Sequence, residues 1–216
     1  MATTTEENYL KALFALSAKT GTVATSELSR SLGVSTPSVN SMVRKLAERG
    51  LVHYEKYRPL ELTHAGKKAA ALIIRKHRLT EMFLVEKMGF GWEEVHAIAE
   101  QIEHVESPAF FSRMDELMGF PTVDPHGSPI PAPDGSIATK PRRRLADCTV
   151  GETVTIQGLA HSSNKFLHFL NARGIGLQTS LTVNQVEVFD GSMTVSYGER
   201  SQVTLSGKVT EQLLVA

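Results

Sequence analysis

The 216-residue sequence predicts a mainly α protein with a small β domain: a winged helix-turn-helix, a helical middle and a compact C-terminal β-barrel. Three observations predict it. Apolar residues recur at helical spacing from the N-terminus to about residue 118, a proline-rich stretch without periodicity follows, and short strand-like runs fill the remainder. The expected boundaries are a winged helix-turn-helix unit over 1–70, a helical unit over 71–118, a Pro-rich linker over 119–141 and a β module over 142–216.

Thr3-x-x-Glu6 and Thr4-x-x-Glu7 both read as capping boxes, and Leu10, Leu13 and Phe14 continue at helical spacing, which starts the first helix. A second helix over Thr25–Leu32 stops at Gly33, where a positive φ costs little. Ser35-Thr36-Pro37 is a cap followed by proline near the first helical position and opens a third helix that runs to Gly50. Leu51 to Leu62 alternates about a Tyr57-Arg58-Pro59 turn, the pattern of a small hairpin. His64 to Met88 predicts a long helix, Trp92 to Val105 another after Gly89-Phe90-Gly91, and Pro108 to Met118 a short one.

Residues 119–141 hold six prolines (121, 125, 129, 131, 133 and 141), which predicts a linker or an extended segment lying on a surface. Strands are then expected over Thr153–Ile156, Ser180–Val188, Met193–Tyr197, Gln202–Leu205 and Val209–Val215, with one helix over Ser163–Arg173.

At 41% hydrophobic residues the chain can bury a core, which excludes wholesale disorder. One cysteine, Cys148, can form neither an internal disulfide nor a thiolate metal cage and suits a reducing compartment. The longest apolar run, Ala69 to Ile74, falls far short of the twenty or so residues a membrane span needs. With no basic or apolar N-terminal stretch, no secretory signal is expected, and the protein reads as cytoplasmic with no membrane partner. Lys+Arg and Asp+Glu both number 23, but unevenly: residues 1–78 carry 13 basic against 6 acidic residues, residues 79–141 carry 3 against 11. A basic first third suits a polyanion and an acidic middle suits cations, with solvated surface the plain alternative.

In the third helix Val39, Val43 and Leu46 form the inward stripe. Ser38, Asn40, Ser41, Arg44 and Lys45 then face outward, with Ser35, Thr36 and Pro37 at the exposed N-terminal end. Small polar side chains can approach base edges in a major groove while Arg44 and Lys45 reach phosphate. Lys56 and Arg58 at the hairpin tip would meet the DNA backbone beside it. In the acidic middle His96, Glu100, Glu103 and His104 stand at i, i+4, i+7 and i+8 on one helical face, and His77 and Glu81 form an i, i+4 pair on the preceding helix. Acids so gathered repel one another unless a cation joins them. A di-iron carboxylate enzyme would need Glu-x-x-His on two helices, which this spacing lacks, so no enzymatic reading follows.

These residues resemble a known family, the metal-dependent repressors typified by the diphtheria toxin repressor, with their manganese-responsive branch. The likeness runs through residues 6–12, 38–46, 50–52, 54–58 and 62–66 of the winged unit, and through 75–81, 95–104 and the Pro-His-Gly-Ser-Pro-Ile-Pro motif at 125–131. The C-terminal module resembles the SH3-like, iron-uptake-associated domain of the longer members.

The resemblance implies a homodimer formed through the middle domain, a palindromic double-stranded operator, and two divalent cations per subunit. It assigns His77, Glu81 and His96 to one site, and Asn8, Glu100, Glu103 and His104 to the other, with His161 as the module's added ligand. Iron-type members carry Cys where Glu100 stands and manganese-type members carry Glu; a hard carboxylate favours Mn²⁺, while Fe²⁺ also accepts N/O sites. Lys11 replaces a second acid of some manganese-type first helices, which argues against a closely coupled two-metal cluster. The expected function is metal-activated repression of metal-uptake genes; the alternative is a metal-independent winged-helix regulator that senses an organic ligand.

Overall fold

The computed structural model describes residues 3–138 and 141–216. The chain forms two compact units, one drawn from Met1–Thr80, Ala99–Leu117 and Ile130–Ala138, the other from Glu81–Ile98, Met118–Pro129 and Thr139–Ala216.

In the first unit α1 (Thr4–Ser17), α2 (Thr25–Leu32) and α3 (Thr36–Glu48) precede a minimal wing, β1 (Val52–His53) paired antiparallel with β2 (Glu61–Leu62). Of the two capping boxes in the sequence, the one on Thr3 forms: its hydroxyl accepts from Glu6 N at 3.3 Å and Glu6 Oε2 accepts from Thr3 N at 2.8 Å. Gly33 closes α2 in the left-handed region, and Ser35 caps α3 with Pro37 in its first turn. Leu10, Leu13, Leu28, Val39, Val43, Leu46, Leu60 and Leu62 make one buried core that locks the three helices to the wing. α4 (His64–Met88) starts against this core; a Cβ on Gly66 would stand 2.0 Å from the Leu51 carbonyl oxygen, so only glycine lets the helix approach. From the same unit, α6 (Pro108–Leu117) supplies Asp115, which accepts from the Arg75 guanidinium of α4, and Arg75 also donates to Pro131 O at 2.7 Å.

In the second unit β3 (Arg143–Arg144), β4 (Thr153–Leu159), β5 (Ser180–Val186), β6 (Met193–Tyr197), β7 (Arg200–Leu205) and β8 (Leu213–Val215) form an antiparallel sheet in the order β3-β8-β4-β5-β6-β7. Alternate residues of β4, β5 and β6 point inward onto α7 (Asn164–Asn171), giving a core that includes Ile156, Leu167, Leu170, Leu181, Val183 and Val195. Cys148 is buried in it, and burial pushes its thiol pKa up, which suits an inert core residue.

Four elements differ most from the sequence expectation. The helix expected over Trp92–Val105 is only α5 (His96–Ile102): Glu94 accepts from Gly91 N at 2.8 Å to make a turn, and Trp92 Nε1 donates to Asn171 Oδ1 of α7 at 2.7 Å. That turn spends the first residues of the apolar period before the helix begins. The strand expected over Val209–Val215 is a helical turn, α8 (Gly207–Thr210), then β8. The β3 strand and the 3-10 turn Leu145–Asp147 carry no sequence period and were not expected.

The described residues of the proline-rich stretch make no helix but fold into ordered turns. Asp124 Oδ1 accepts from His126 N at 2.8 Å and Ser128 N at 2.9 Å, an Asx turn closed by a Val123–Pro129 bridge. Gly127 (φ 83°) lies so close to β4 that a Cβ would meet Gln157 O at 2.3 Å.

Candidate metal centre and nucleic-acid face

The first acidic cluster lies wholly in the first unit. His77 of α4, with Glu100 and Glu103 at the end of α5, offers ligand atoms all within 4.8 Å of one another. His77 Nδ1 stands 2.5 Å from Glu103 Oε2, and the Lys11 ammonium of α1 donates to Glu100 Oε1 and Glu103 Oε1, both at 2.6 Å. His104 Nδ1 lies 2.5 Å from Glu7 Oε2 of α1, and its Nε2 lies 3.6 Å from Glu103 Oε1. Glu103 is fully buried. Burial is the strongest influence on it and opposes its charge, but the hydrogen bonds and charges of His77 and Lys11 together prevail and hold its carboxyl below the usual carboxylate range.

The second cluster lies in the second unit: Glu81, Asp124 and His126 are all buried with ligand atoms within 4.8 Å. His126 Nε2 is 2.9 Å from the Trp92 carbonyl oxygen, which can only accept, so Nε2 carries the proton. In the neutral ring the Nδ1 lone pair then faces Glu81 Oε2 at 3.8 Å and Asp124 Oδ1 at 4.0 Å. A ligating imidazole that donates its other N–H to a carbonyl is the usual support for metal binding. His96, exposed on α5, brings Nδ1 to 3.2 Å from Glu81 Oε1.

The outward face expected of the third helix lies on the surface of the first unit. Pro37, Asn40, Ser41, Arg44, Lys45 and Glu48 line a shallow surface cleft of about 540 Å³ along α3. Arg44 lies over the Tyr54 ring, 5.8 Å from its centroid, and Lys56 over Tyr57 at 4.8 Å, so the wing orients both cations. Ser35 and Ser38 share a hydroxyl hydrogen bond of 2.8 Å at the cap, Thr36 is exposed beside them, and exposed Arg58 sits 3.8 Å from Glu55. Buried Glu6 ties α1 to α3, with Oε1 3.2 Å from Lys45 Nζ and Oε2 2.7 Å from Arg49 Nη1.

Comparison with known proteins divides the chain into three matched stretches. Residues 1–60 match the iron dependent repressor N-terminal DNA binding domain, residues 63–132 the iron dependent repressor metal binding and dimerisation domain, and residues 143–216 the FeoA domain. The iron-dependent repressor IdeR of Mycobacterium leprae is 35% identical over 159 residues, 70% of this chain and 69% of that protein. The chain belongs to the iron-dependent repressor family.

IdeR of Mycobacterium tuberculosis is 38% identical over 127 residues, 59% of this chain and 55% of its own length. A solved manganese-dependent transcriptional repressor in complex with manganese superposes with TM-score 0.86 at 35% identity, covering 97% of this chain and 98% of that one. IdeR of T. acidophilum superposes with TM-score 0.75 at 27% identity, covering 100% and 99%. The family is one of iron- or manganese-dependent, DNA-binding transcriptional repressors.

Seen as such a repressor, the structure brings Glu100, Glu103 and His104 together with His77, and Glu81 with His96. His161 is exposed after β4 and joins no three-residue ligand group among the described residues. Sequence reasoning gave Glu7 only a capping role and singled out neither Asp124 nor His126. Glu7 sits one residue before Asn8, and His126 lies within the 125–131 motif, but only the Asx turn and the Trp92 carbonyl show that His126 points inward. No helix among the described residues is long and apolar enough to cross a membrane.

Proposed function

We propose that the protein is a repressor activated by Mn²⁺ or Fe²⁺, acting in the cytoplasm as a homodimer on a palindromic operator to shut off metal-uptake genes. One observation carries the reading: α1 holds both sites. Glu6 grips Lys45 and Arg49 at the C-terminal end of α3, while the adjacent Glu7 and, a turn later, Lys11 grip His104, Glu100 and Glu103. A change at the acidic cluster therefore acts on the helix that positions α3.

The donor set fits a hard divalent cation. Asn8 Oδ1 is buried without a hydrogen-bond partner, an amide oxygen in want of a positive partner on the face of α1 next to Glu7. Asn8, Glu100, Glu103 and His104 would hold one cation. Glu81 and His96 would serve the other, and the buried Asp124 and His126 suit its support better than exposed His161. Bound there, a divalent cation supplies the positive charge that lets these carboxylates stay ionised side by side. Glu103 orients the His77 ring through Nδ1, Glu7 orients His104, and α1 is fixed by both ends of this network. Converting a switch from 1:99 to 99:1 requires about 5.5 kcal/mol of preference for the DNA-competent arrangement.

The test is fluorescence anisotropy on a labelled duplex from the gene's own promoter, titrated in EDTA, Mn²⁺, anaerobic Fe²⁺ and Zn²⁺. Tight binding only with Mn²⁺ or Fe²⁺, lost in Glu103→Ala and His104→Ala, is the expected result. Equal binding in chelator would favour the regulator of an organic ligand.

A further inference from the structure

The cation site already has a cation of its own. Lys11 Nζ lies 2.6 Å from Glu100 Oε1 and 2.6 Å from Glu103 Oε1, bridging two carboxylates that the reading above assigns to metal. Glu103 has no oxygen outside this pairing, since Oε2 is with His77 Nδ1 at 2.5 Å. Glu7, Asn8 and Lys11 share a face of α1 at i, i+1 and i+4, so the ammonium enters from the same side as the candidate ligands of that helix. The Lys11 side chain keeps 21% of its surface exposed while Glu103 keeps none.

We propose that Lys11 is a tethered competitor for the divalent cation, holding the Glu100 and Glu103 oxygens in the metal-free protein and setting the metal concentration at which the switch responds; this rests on the site assignment under Proposed function. The chemistry favours competition over coexistence. Divalent cations of this class take carboxylate oxygens at about 2.0–2.6 Å, the lone pairs the ammonium now uses. Three positive charges within about 4 Å in a partly buried setting repel strongly. Lysine is suited to withdraw: its charge is a compact point on a flexible four-carbon stem, and its partial exposure opens a path to water. The same contact explains how the metal-free form tolerates buried Glu103, whose neighbours would otherwise leave it short of positive charge. Arginine in this place would hold both carboxylates with a planar fork and yield less readily.

The intact protein, Lys11→Ala and Lys11→Arg are titrated with Mn²⁺, free aquo-Mn²⁺ being followed by electron paramagnetic resonance, and each is melted in EDTA. Lys11→Ala is expected to bind Mn²⁺ some 10- to 100-fold more tightly while melting lower in EDTA, and Lys11→Arg to bind more weakly than wild type. A merely structural lysine would lower the melting temperature without tightening Mn²⁺. Unchanged or weaker binding in Lys11→Ala, with wild-type binding that His104→Ala abolishes, overturns the proposal and leaves the site standing. Wild-type binding that survives His104→Ala, or no Mn²⁺ bound by any of the variants, removes the site and the proposal together.

Discussion

The two ends of the chain bury different things. Nine polar or charged residues are buried among those described, and eight of them fall between residues 6 and 126: Glu6, His77, Thr80, Glu81, Glu103, Asp115, Asp124 and His126. The FeoA stretch buries one, Thr210, inside a core otherwise made of Leu, Ile, Val and their like. Burying a charge is costly unless it is matched, and apolar residues of similar volume often serve stability as well or better. Several charges in the helical stretch are matched by partners within the chain: Glu6 by Lys45 and Arg49, Asp115 by Arg75, Glu103 by Lys11 and His77. The C-terminal core rests on apolar packing; the helical region rests partly on buried charges paired with one another.

The sharpest way to break this contrast is to cut each core by its own means. Leu181→Ala in the barrel removes a fully buried side chain with no polar compensation and is expected to cost about 3–4 kcal/mol, with or without chelator. Glu103→Gln keeps the volume but takes the charge away from Lys11 and His77, and is expected to cost about 3 kcal/mol in EDTA. Unlike the barrel mutant, it should gain nothing when Mn²⁺ is added, whereas wild type at a hundredfold excess over its Kd gains about 2.7 kcal/mol. Chemical denaturation in EDTA and in Mn²⁺ measures all of this. A Leu181→Ala variant that lost its Mn²⁺ response would erase the contrast.

The same division governs how much could be read from the sequence. Elements defined by local chemistry were legible: the Thr3 cap, Gly33, the Ser35–Pro37 start and the full span of His64–Met88 all follow from caps and 3.6-residue periodicity. What failed depends on partners distant in sequence. Trp92 fits a helical period, yet its indole N–H is claimed by Asn171 and the helix starts four residues later. Glu100, Glu103 and His104 announced themselves by spacing, and His77 by its pair with Glu81. Asp124 and His126 did not, because an Asx turn in a proline-rich stretch gives no period and the carbonyl that sets the His126 tautomer is 34 residues away. Lys11 was visible only as a missing acid; that its ammonium fills the acid's place is a fact of geometry.

A smaller effect tests the coupling through α1. Glu6→Ala removes half of the capping box and the partner of Lys45 and Arg49 while leaving the acidic cluster untouched. A loss of about 2 kcal/mol is expected. DNA affinity in saturating Mn²⁺ should also fall, by roughly five- to tenfold, about 1–1.4 kcal/mol, with Mn²⁺ affinity nearly unchanged. Melting curves, anisotropy and Mn²⁺ titration separate the three quantities. If DNA affinity held while stability fell, Glu6 would be a cap and nothing more, and α1 would not transmit to α3.

The smallest effect belongs to the barrel's surface and shows what an ion pair does where no function hangs on it. The Arg143 guanidinium, with help from the Thr149 hydroxyl and amide (2.7 and 2.8 Å), holds the Glu152 carboxyl down at about 2. Since the folded value lies below the ordinary one near 4.5, the interaction stabilises the fold fully above about pH 4.5. It is lost as pH falls through about 2, and nothing changes near neutrality. Arg143→Gln should raise the Glu152 pKa toward 4.5 without restoring it completely, because the Thr149 hydrogen bonds remain. Carboxyl-carbon NMR titration of the intact chain reads this directly. Both partners are part-exposed, so stability at pH 7 should barely move. A large destabilisation at pH 7 would mean that the barrel, too, leans on charge, and that the difference between the two regions is one of degree.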